Sequence, residues 1–260
     1  MSWIGLLTVL LAGAFIYWLL ILSEGVYLGK KSVIALYDWG AAKYDQVKQV
    51  QPRDDALYLA RPLLAALKGA QSPLVLDVAT GTGRLPLSLL RQWDFQGRII
   101  GLDLSRRMLA IARRKTYSQR HRVALIREDA MALPFPDSIF HAVTCIEALE
   151  FLPRPWGALA EMVRVLRPGG QLVITNRVGW DTLFLPGRAY RPEVLERKLH
   201  ALGLTSVRSR RWQVHYDLIE AQKPLADCPG VTYVNGCSLV DAIERESGAG
   251  NPRLRFSAYD

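Results

Sequence analysis

Residues 73–105 limit what this chain can fold into more than any other stretch. The first half, PLVLDVATGTGRL, is a short apolar run that breaks at Gly81-Thr82-Gly83. The second half, GRIIGLDLS, is another apolar run that ends at Asp103. Two buried strands joined through a glycine turn and a helix make a parallel pair, and the turn brings bare backbone N–H groups to the C-terminal edge of a sheet. An acidic residue about 20 positions further on, at the end of the second strand, can accept hydrogen bonds from both ribose hydroxyls. The pattern describes a nucleoside-binding crevice.

The same alternation continues on both sides. Residues 56–67 read as a helix leading into the first strand, and 85–93 as the first crossover helix with Pro86 in its opening turn. Ser105 caps a helix over 106–115 whose Met108, Leu109 and Ile111 face the sheet and whose arginines face out. Strands are expected at 123–127, 139–146 and 171–176, with a helix at 156–166 stopped by Arg167-Pro168-Gly169-Gly170. A helix at 192–202 and strands at 205–212 and 214–222 follow. This predicts an α/β chain with a Rossmann-like, doubly wound, mostly parallel seven-stranded sheet. Residues 224–260, with Gly248, Gly250 and Pro252, read as a loosely ordered tail.

Ahead of the domain, Trp3 to Leu22 carries no charged side chain. Twenty helical residues span about 30 Å, the thickness of a bilayer's hydrocarbon core. A cleaved signal peptide is the competing reading; the absence of Lys or Arg ahead of the run and its length favour a retained single-pass anchor over residues 1–23. Lys30, Lys31, Lys43 and Lys48 follow the helix, which places the domain on the cytoplasmic side. Residues 24–50 are amphipathic, with Val26, Val33, Ile34, Tyr37, Tyr44 and Val47 near helical spacing; they fit either a juxtamembrane helix on lipid or a helix packed on the domain of residues 51–223.

Charge and cysteines narrow the partners. The net charge is +9, and eleven Lys or Arg against two acids fall between Arg84 and Arg127. An anionic lipid surface suits that bias better than nucleic acid, since no basic stripe interleaved with aromatics is present. Cys145, Cys228 and Cys237 form neither a metal-ligand spacing nor a disulfide framework, so no metal is expected.

A dinucleotide fingerprint needs a third small residue where this chain has Pro86, which leaves an adenosine ligand without phosphates. From about Tyr44 to Gln222 the chain resembles class I S-adenosylmethionine-dependent methyltransferases, above all the ubiquinone/menaquinone-biosynthesis C-methyltransferase type. The resemblance rests on VLDVATGTG, GLDLS, REDA, DSIFHAVTCIEALEFL and LRPGG in the family's order. It implies S-adenosyl-L-methionine as cofactor. It also implies a cofactor set of Asp77, Ala79, Gly81 and Gly83 in the first motif, Asp103 on the ribose, and Leu104 and Met108 over the adenine. Asp129 and Ala130 would meet the adenine edge, Cys145 would lie beside the cofactor, and Tyr44 with Asp45 would fold over it as a lid.

The acceptor side is less legible. Glu147 and Glu150, just beyond the fourth strand, are the candidate catalytic residues, either as a substrate-side base or hydrogen-bond partner, or, for Glu150, as a solvated helix-start carboxylate. His141 reads as structural. The loop WDTLFLPGRAY (residues 180–190) has the apolar character of a lipid or quinone contact, or else tucks over the sheet, and Arg188 is placed for an anionic headgroup. The leading expectation is a membrane-anchored methyltransferase for a lipophilic small molecule of quinone or lipid type. A tethered RNA-modifying methyltransferase and a non-catalytic binding module remain open.

Overall fold

The computed structural model describes residues 3–225, and the reading of the tail, Cys228 and Cys237 lies outside them. Helix α1 (Trp3–Leu22) is followed by a short turn and α2 (Lys30–Gly40), and the chain winds through a further helical stretch at 52–66, α3. The domain then runs β1 (Leu74–Val78), α4 (Arg84–Leu90), β2 (Arg98–Leu102), α5 (Arg106–Thr116), β3 (Val123–Ile126), β4 (Phe140–Cys145), α6 (Pro155–Val165), β5 (Leu166–Arg177), α7 (Pro192–Ala201), β6 (Thr205–Gln213) and β7 (Tyr216–Gln222). The seven strands lie in the order β3-β2-β1-β4-β5-β7-β6. Pairings among β3, β2, β1, β4 and β5 are parallel, and β7 inserts antiparallel between β5 and β6. The expected doubly wound, mostly parallel sheet is what the chain builds.

Alternate strand residues enter opposite cores, as a two-residue repeat requires. Leu76, Val143, Leu172 and Ile174 pack with Leu159 and Met162 of α6 and with Leu195 and Leu199 of α7. Val75, Ala142 and Val173 pack with Leu59 and Leu63 of α3 and with Leu85 and Leu89 of α4. The strand order reverses between β1 and β4, so the crevice expected of such a sheet opens beyond their C-terminal ends.

Two boundaries differ from the expectation. Helix α6 ends at Val165, before Arg167-Pro168-Gly169-Gly170, because Leu166 already pairs with Phe140 and Gly169 N–H donates to the Lys223 carbonyl at 2.8 Å. That glycine-rich turn is a strand irregularity rather than a helix stop. Helix α4 closes at Leu90, three residues early, and Trp93 stands 90% exposed in the loop that follows.

Candidate active site

The glycine turn bends because three residues take left-handed backbone: Ala79 (φ 57°), Gly81 (φ 54°) and Gly83 (φ 80°). At Gly83 a side chain is also excluded by packing, since a Cβ would lie 3.0 Å from that of Ala112 on α5. Asp103, at the end of β2, ties the turn down: one carboxylate oxygen accepts from Gly81 N–H and the other from Ser105 N–H, both at 2.8 Å. Burial raises its pKa, and these N–H groups oppose the rise. Beneath the turn, Asp77 is buried and accepts from the Thr144 hydroxyl at 2.7 Å; desolvation pushes its pKa up to about 6.

These elements enclose a crevice of about 790 Å³, counting its open mouth. Of the residues singled out in the sequence, Tyr44, Ala79, Gly81, Asp103, Leu104, Asp129, Ala130 and Glu147 line it. Others lie behind the wall. Asp77 and Gly83 shape the turn from below, Met108 is sealed under α5, and Cys145 is wholly buried at the end of β4, where burial first and the nearby Asp77 and Glu150 next raise its thiol pKa. Asp77, Gly83, Met108 and Cys145 therefore support the crevice without lining it.

The amphipathic segment 24–50 packs on the domain. Val33, Ile34 and Tyr37 of α2 join the crevice lining, and polar contacts pin the segment to the rim. Asp38 accepts from the Ser105 hydroxyl and from Arg107 N–H, which puts a carboxylate at the positive end of α5. Asp45 accepts from the Thr82 hydroxyl at 2.6 Å and pairs with Lys115. Lys30 pairs with Asp129 at 2.6 Å. Burial tends to raise the Asp129 pKa, but Lys30 and the Met131 N–H more than offset it, and the net shift is downward.

Glu147 takes left-handed backbone (φ 52°), which a non-glycine residue adopts at a cost of about 1–2 kcal/mol, and its N–H donates to the Thr175 hydroxyl at 2.6 Å. Its carboxylate is buried against Arg84 (2.6 Å), which also forks onto Asp55, and lies 3.8 Å from Lys48. Glu150 is neither at the mouth nor solvated. It is 1% exposed, accepts from the Tyr216 hydroxyl at 2.6 Å and lies 3.6 Å from Arg177, and desolvation raises its pKa. The loop before α6 turns inward at this point, so the carboxylate meets β5 and β7 rather than water. His141 is structural: its Nδ1 accepts from Leu74 N–H at 3.2 Å, and burial, with Arg167 nearby, lowers its pKa to about 4.

Sequence reasoning missed Arg84, Arg177, Tyr216 and Asp38. Arg84 was counted with a surface basic run, yet its side chain is only 13% exposed. Its available signal was Asp55, an acid on the α3 face that also carries Leu59 and Leu63.

A family model described as a methyltransferase domain matches residues 75–170. The demethylmenaquinone methyltransferase of Lactiplantibacillus plantarum is 36% identical over 144 residues, 55% of this chain and 61% of that protein. The enzyme of the same name from Renibacterium salmoninarum is 36% identical over 171 residues, 66% of this chain and 68% of that protein. The chain belongs to the class I S-adenosylmethionine-dependent methyltransferases, of the quinone-biosynthesis type. The first curated relatives are matched over only 45–61% of their own length. The fold agrees with a solved S-adenosylmethionine-dependent methyltransferase from Aquifex aeolicus, at TM-score 0.55 and 21% identity, over 68% of this chain and 95% of that one.

The crevice fits the family's cofactor on its own chemistry. Carboxylates at Asp103 and Asp129 offer acceptors for hydroxyl and amino hydrogens, Leu104 and Ile146 offer apolar walls, and Gly81 leaves the backbone open.

Proposed function

We propose that this chain is a single-pass, membrane-anchored methyltransferase, with its domain on the cytoplasmic side, that methylates a lipophilic small molecule of the quinone or lipid-headgroup type. The observation that carries the reading is the acid-lined crevice at the switch point, covered by a segment that follows directly from the one helix, among the described residues, long and apolar enough to cross a membrane. The named activity of the curated relatives supports a quinone-type acceptor.

When bound, S-adenosylmethionine supplies an electrophilic methyl group. In this reading Asp103 holds the ribose, Asp129 the adenine edge, and Asp77 supports the turn near the amino group. Tyr44 and α2 exclude water, which matters because an in-line displacement gains mostly from positioning and desolvation. Glu147, on the crevice wall, is the acceptor-side carboxylate that takes a proton from a hydroxyl-bearing acceptor. Glu150 does not reach the crevice and acts as a positioning residue through Tyr216 and Arg177. Domain boundaries at 1–23, 24–50 and 51–223 follow from the same assignment.

The test supplies purified full-length chain and radiolabelled methyl donor to membrane extracts. Label should enter the organic phase. Label in RNA with none in the organic phase would refute the lipophilic acceptor.

A further inference from the structure

The loop between β5 and α7 has a composition that water does not favour. Over 180–187 it reads WDTLFLPG, with one ionisable side chain. That side chain, Asp181, is turned inward, 2.7 Å from Arg177 and 3.2 Å from His215. Leu185 is also turned inward, packing with Val26 and Phe151. Trp180 and Leu183 point outward, 66% and 78% exposed, beside an exposed Pro186. Each CH₂ left in water forgoes roughly 0.8 kcal/mol, so this arrangement is wasteful unless something apolar covers it.

The loop is fastened to the end of α1. The Trp18 indole N–H donates to the Phe184 carbonyl at 3.2 Å, and the Tyr27 hydroxyl donates to the Pro186 carbonyl at 2.8 Å. The rings of Trp18 and Tyr27 stack, 5.2 Å apart. Trp18 lies four residues inside the end of the apolar helix at Leu22, about 6 Å along its axis. A loop bonded to Trp18 therefore lies beside the last turns of that helix.

The backbone is prepared for it. Residues 180–184 form a 3-10 turn, and a segment set at the edge of a membrane needs its carbonyls met by the protein, since water is scarce there. In this loop the carbonyls of Gly179, Thr182 and Leu185 accept from Thr182, Leu185 and Arg188 N–H groups. Those of Phe184 and Pro186 are taken by Trp18 and Tyr27, as above.

We infer that residues 180–186 form a second membrane-contacting element, a wedge that enters the acyl–headgroup boundary beside α1 with Trp180 and Leu183 leading. The occupant of this apolar face is the bilayer itself, since the face continues the surface of α1. Trp180 has the amphipathic ring suited to that depth, and Arg188, whose guanidinium donates to the Leu152 carbonyl at 2.7 Å, sits just behind it. Because Leu185 packs on Phe151, which lines the crevice, the wedge sets the mouth at the lipid surface. The inference rests on the anchored reading above.

The test uses full-length chain in phosphatidylcholine–phosphatidylglycerol vesicles, with Cys228→Ser and Cys237→Ser so that a nitroxide reports one site. Labels go at Leu183→Cys, at Leu11→Cys within α1, and at Trp93→Cys in the exposed loop ahead of β2, at the N-terminal end of the strands. Collisions with oxygen should exceed those with a water-soluble nickel complex at 183 and 11, and the order should reverse at 93. A water-like signal at 183 with a lipid-like one at 11 overturns the wedge and leaves the anchor standing; water-like signals at both overturn the anchor. Shielding from both reagents at 183 means a protein contact, and also overturns the wedge. As a label-free check, Trp180→Phe should lower the fraction of tryptophan emission quenched by lipids brominated near the headgroup. A rise in that fraction would place Trp180 in water and sink the proposal.

Discussion

Replacing Arg84 by Met isolates the energetics of the polar floor. The Arg84 Nε lies 2.9 Å from both Asp55 carboxylate oxygens, one Nη lies 2.6 Å from Asp55, and the other lies 2.6 Å from Glu147. The two carboxylate side chains are 2% and 4% exposed. Methionine fills much of the volume but strands both carboxylates, with Lys48 at 3.8 Å as the nearest remaining cation for Glu147. Removing one partner of a buried pair costs about 3–5 kcal/mol. At roughly 2–4 °C per kcal/mol for a domain of this size, Tm should fall by about 6–20 °C. A melt of full-length chain in detergent, followed by near-ultraviolet circular dichroism, reads this directly. Arg84→Lys, with a point charge in place of a fork, should fall between the two. A loss of under about 2 °C would refute the claim that Arg84 neutralises Asp55 and Glu147.

Three other expectations are independent of it. Asp103→Asn removes a charged acceptor worth about 1.5–3 kcal/mol, so calorimetry should show S-adenosylmethionine bound roughly 10- to 100-fold more weakly; unchanged affinity contradicts the ribose assignment. The Asp77 carboxyl, with a folded pKa of about 6 against an ordinary 3.8, holds extra protons when folded, so stability should fall as pH rises through that window, by about 3 kcal/mol in all. Asp77→Asn should flatten this slope in urea titrations while weakening cofactor binding; a wild-type protein with no slope there would count against a buried, costly carboxylate. Asp38→Ala removes charged hydrogen bonds at the start of α5 and should speed hydrogen exchange over residues 30–47 by roughly 10- to 100-fold while β1–β4 stay protected. Unchanged exchange would mean that the apolar face of α2 and the Lys30 and Asp45 contacts hold the segment down without Asp38.

The cofactor half of the molecule was legible because its chemistry is local. A strand, a turn and a strand-end acid within residues 73–105 set their own geometry, and the structure puts Ala79, Gly81, Asp103 and Leu104 around one crevice. The polar cluster around Glu150 is assembled at long range. Glu150 meets Tyr216 across 66 residues, and Arg177 reaches back to Glu24 across 153. No window of sequence contains such a contact, and each member looks like an ordinary surface residue until the fold brings it in. The glutamate pair shows the difference. Glu150 follows Glu147 by three positions, but the left-handed turn at Glu147 sends the first to the crevice and the second into the β5–β7 side. Helical or strand spacing cannot anticipate that divergence, since it follows from one backbone angle held by Thr175.

The junction between α1 and α2 connects these parts. Gly25 (φ 71°) and Gly29 (φ 89°) bracket the turn of residues 26–28, both in backbone regions that side chains resist. A Cβ at Gly25 would strike Leu36 at 2.6 Å, so that glycine also lets the turn lie against α2, whereas nothing lies within 4 Å of one at Gly29. Backbone conformation therefore explains both glycines, and the Leu36 contact is a lesser addition at the first. A chain leaving an apolar span must turn sharply here to lay Val33, Ile34 and Tyr37 over the crevice rather than continue along the helix axis. The rim contacts of Lys30, Asp38 and Asp45 are ionic or charge-assisted and partly exposed, so each adds modestly to the apolar packing of Val26, Val33 and Tyr37 on Phe151 and Leu185. The end of α1 is bonded to the Phe184 carbonyl, so this junction is tied to the loop after β5 as well as to α2.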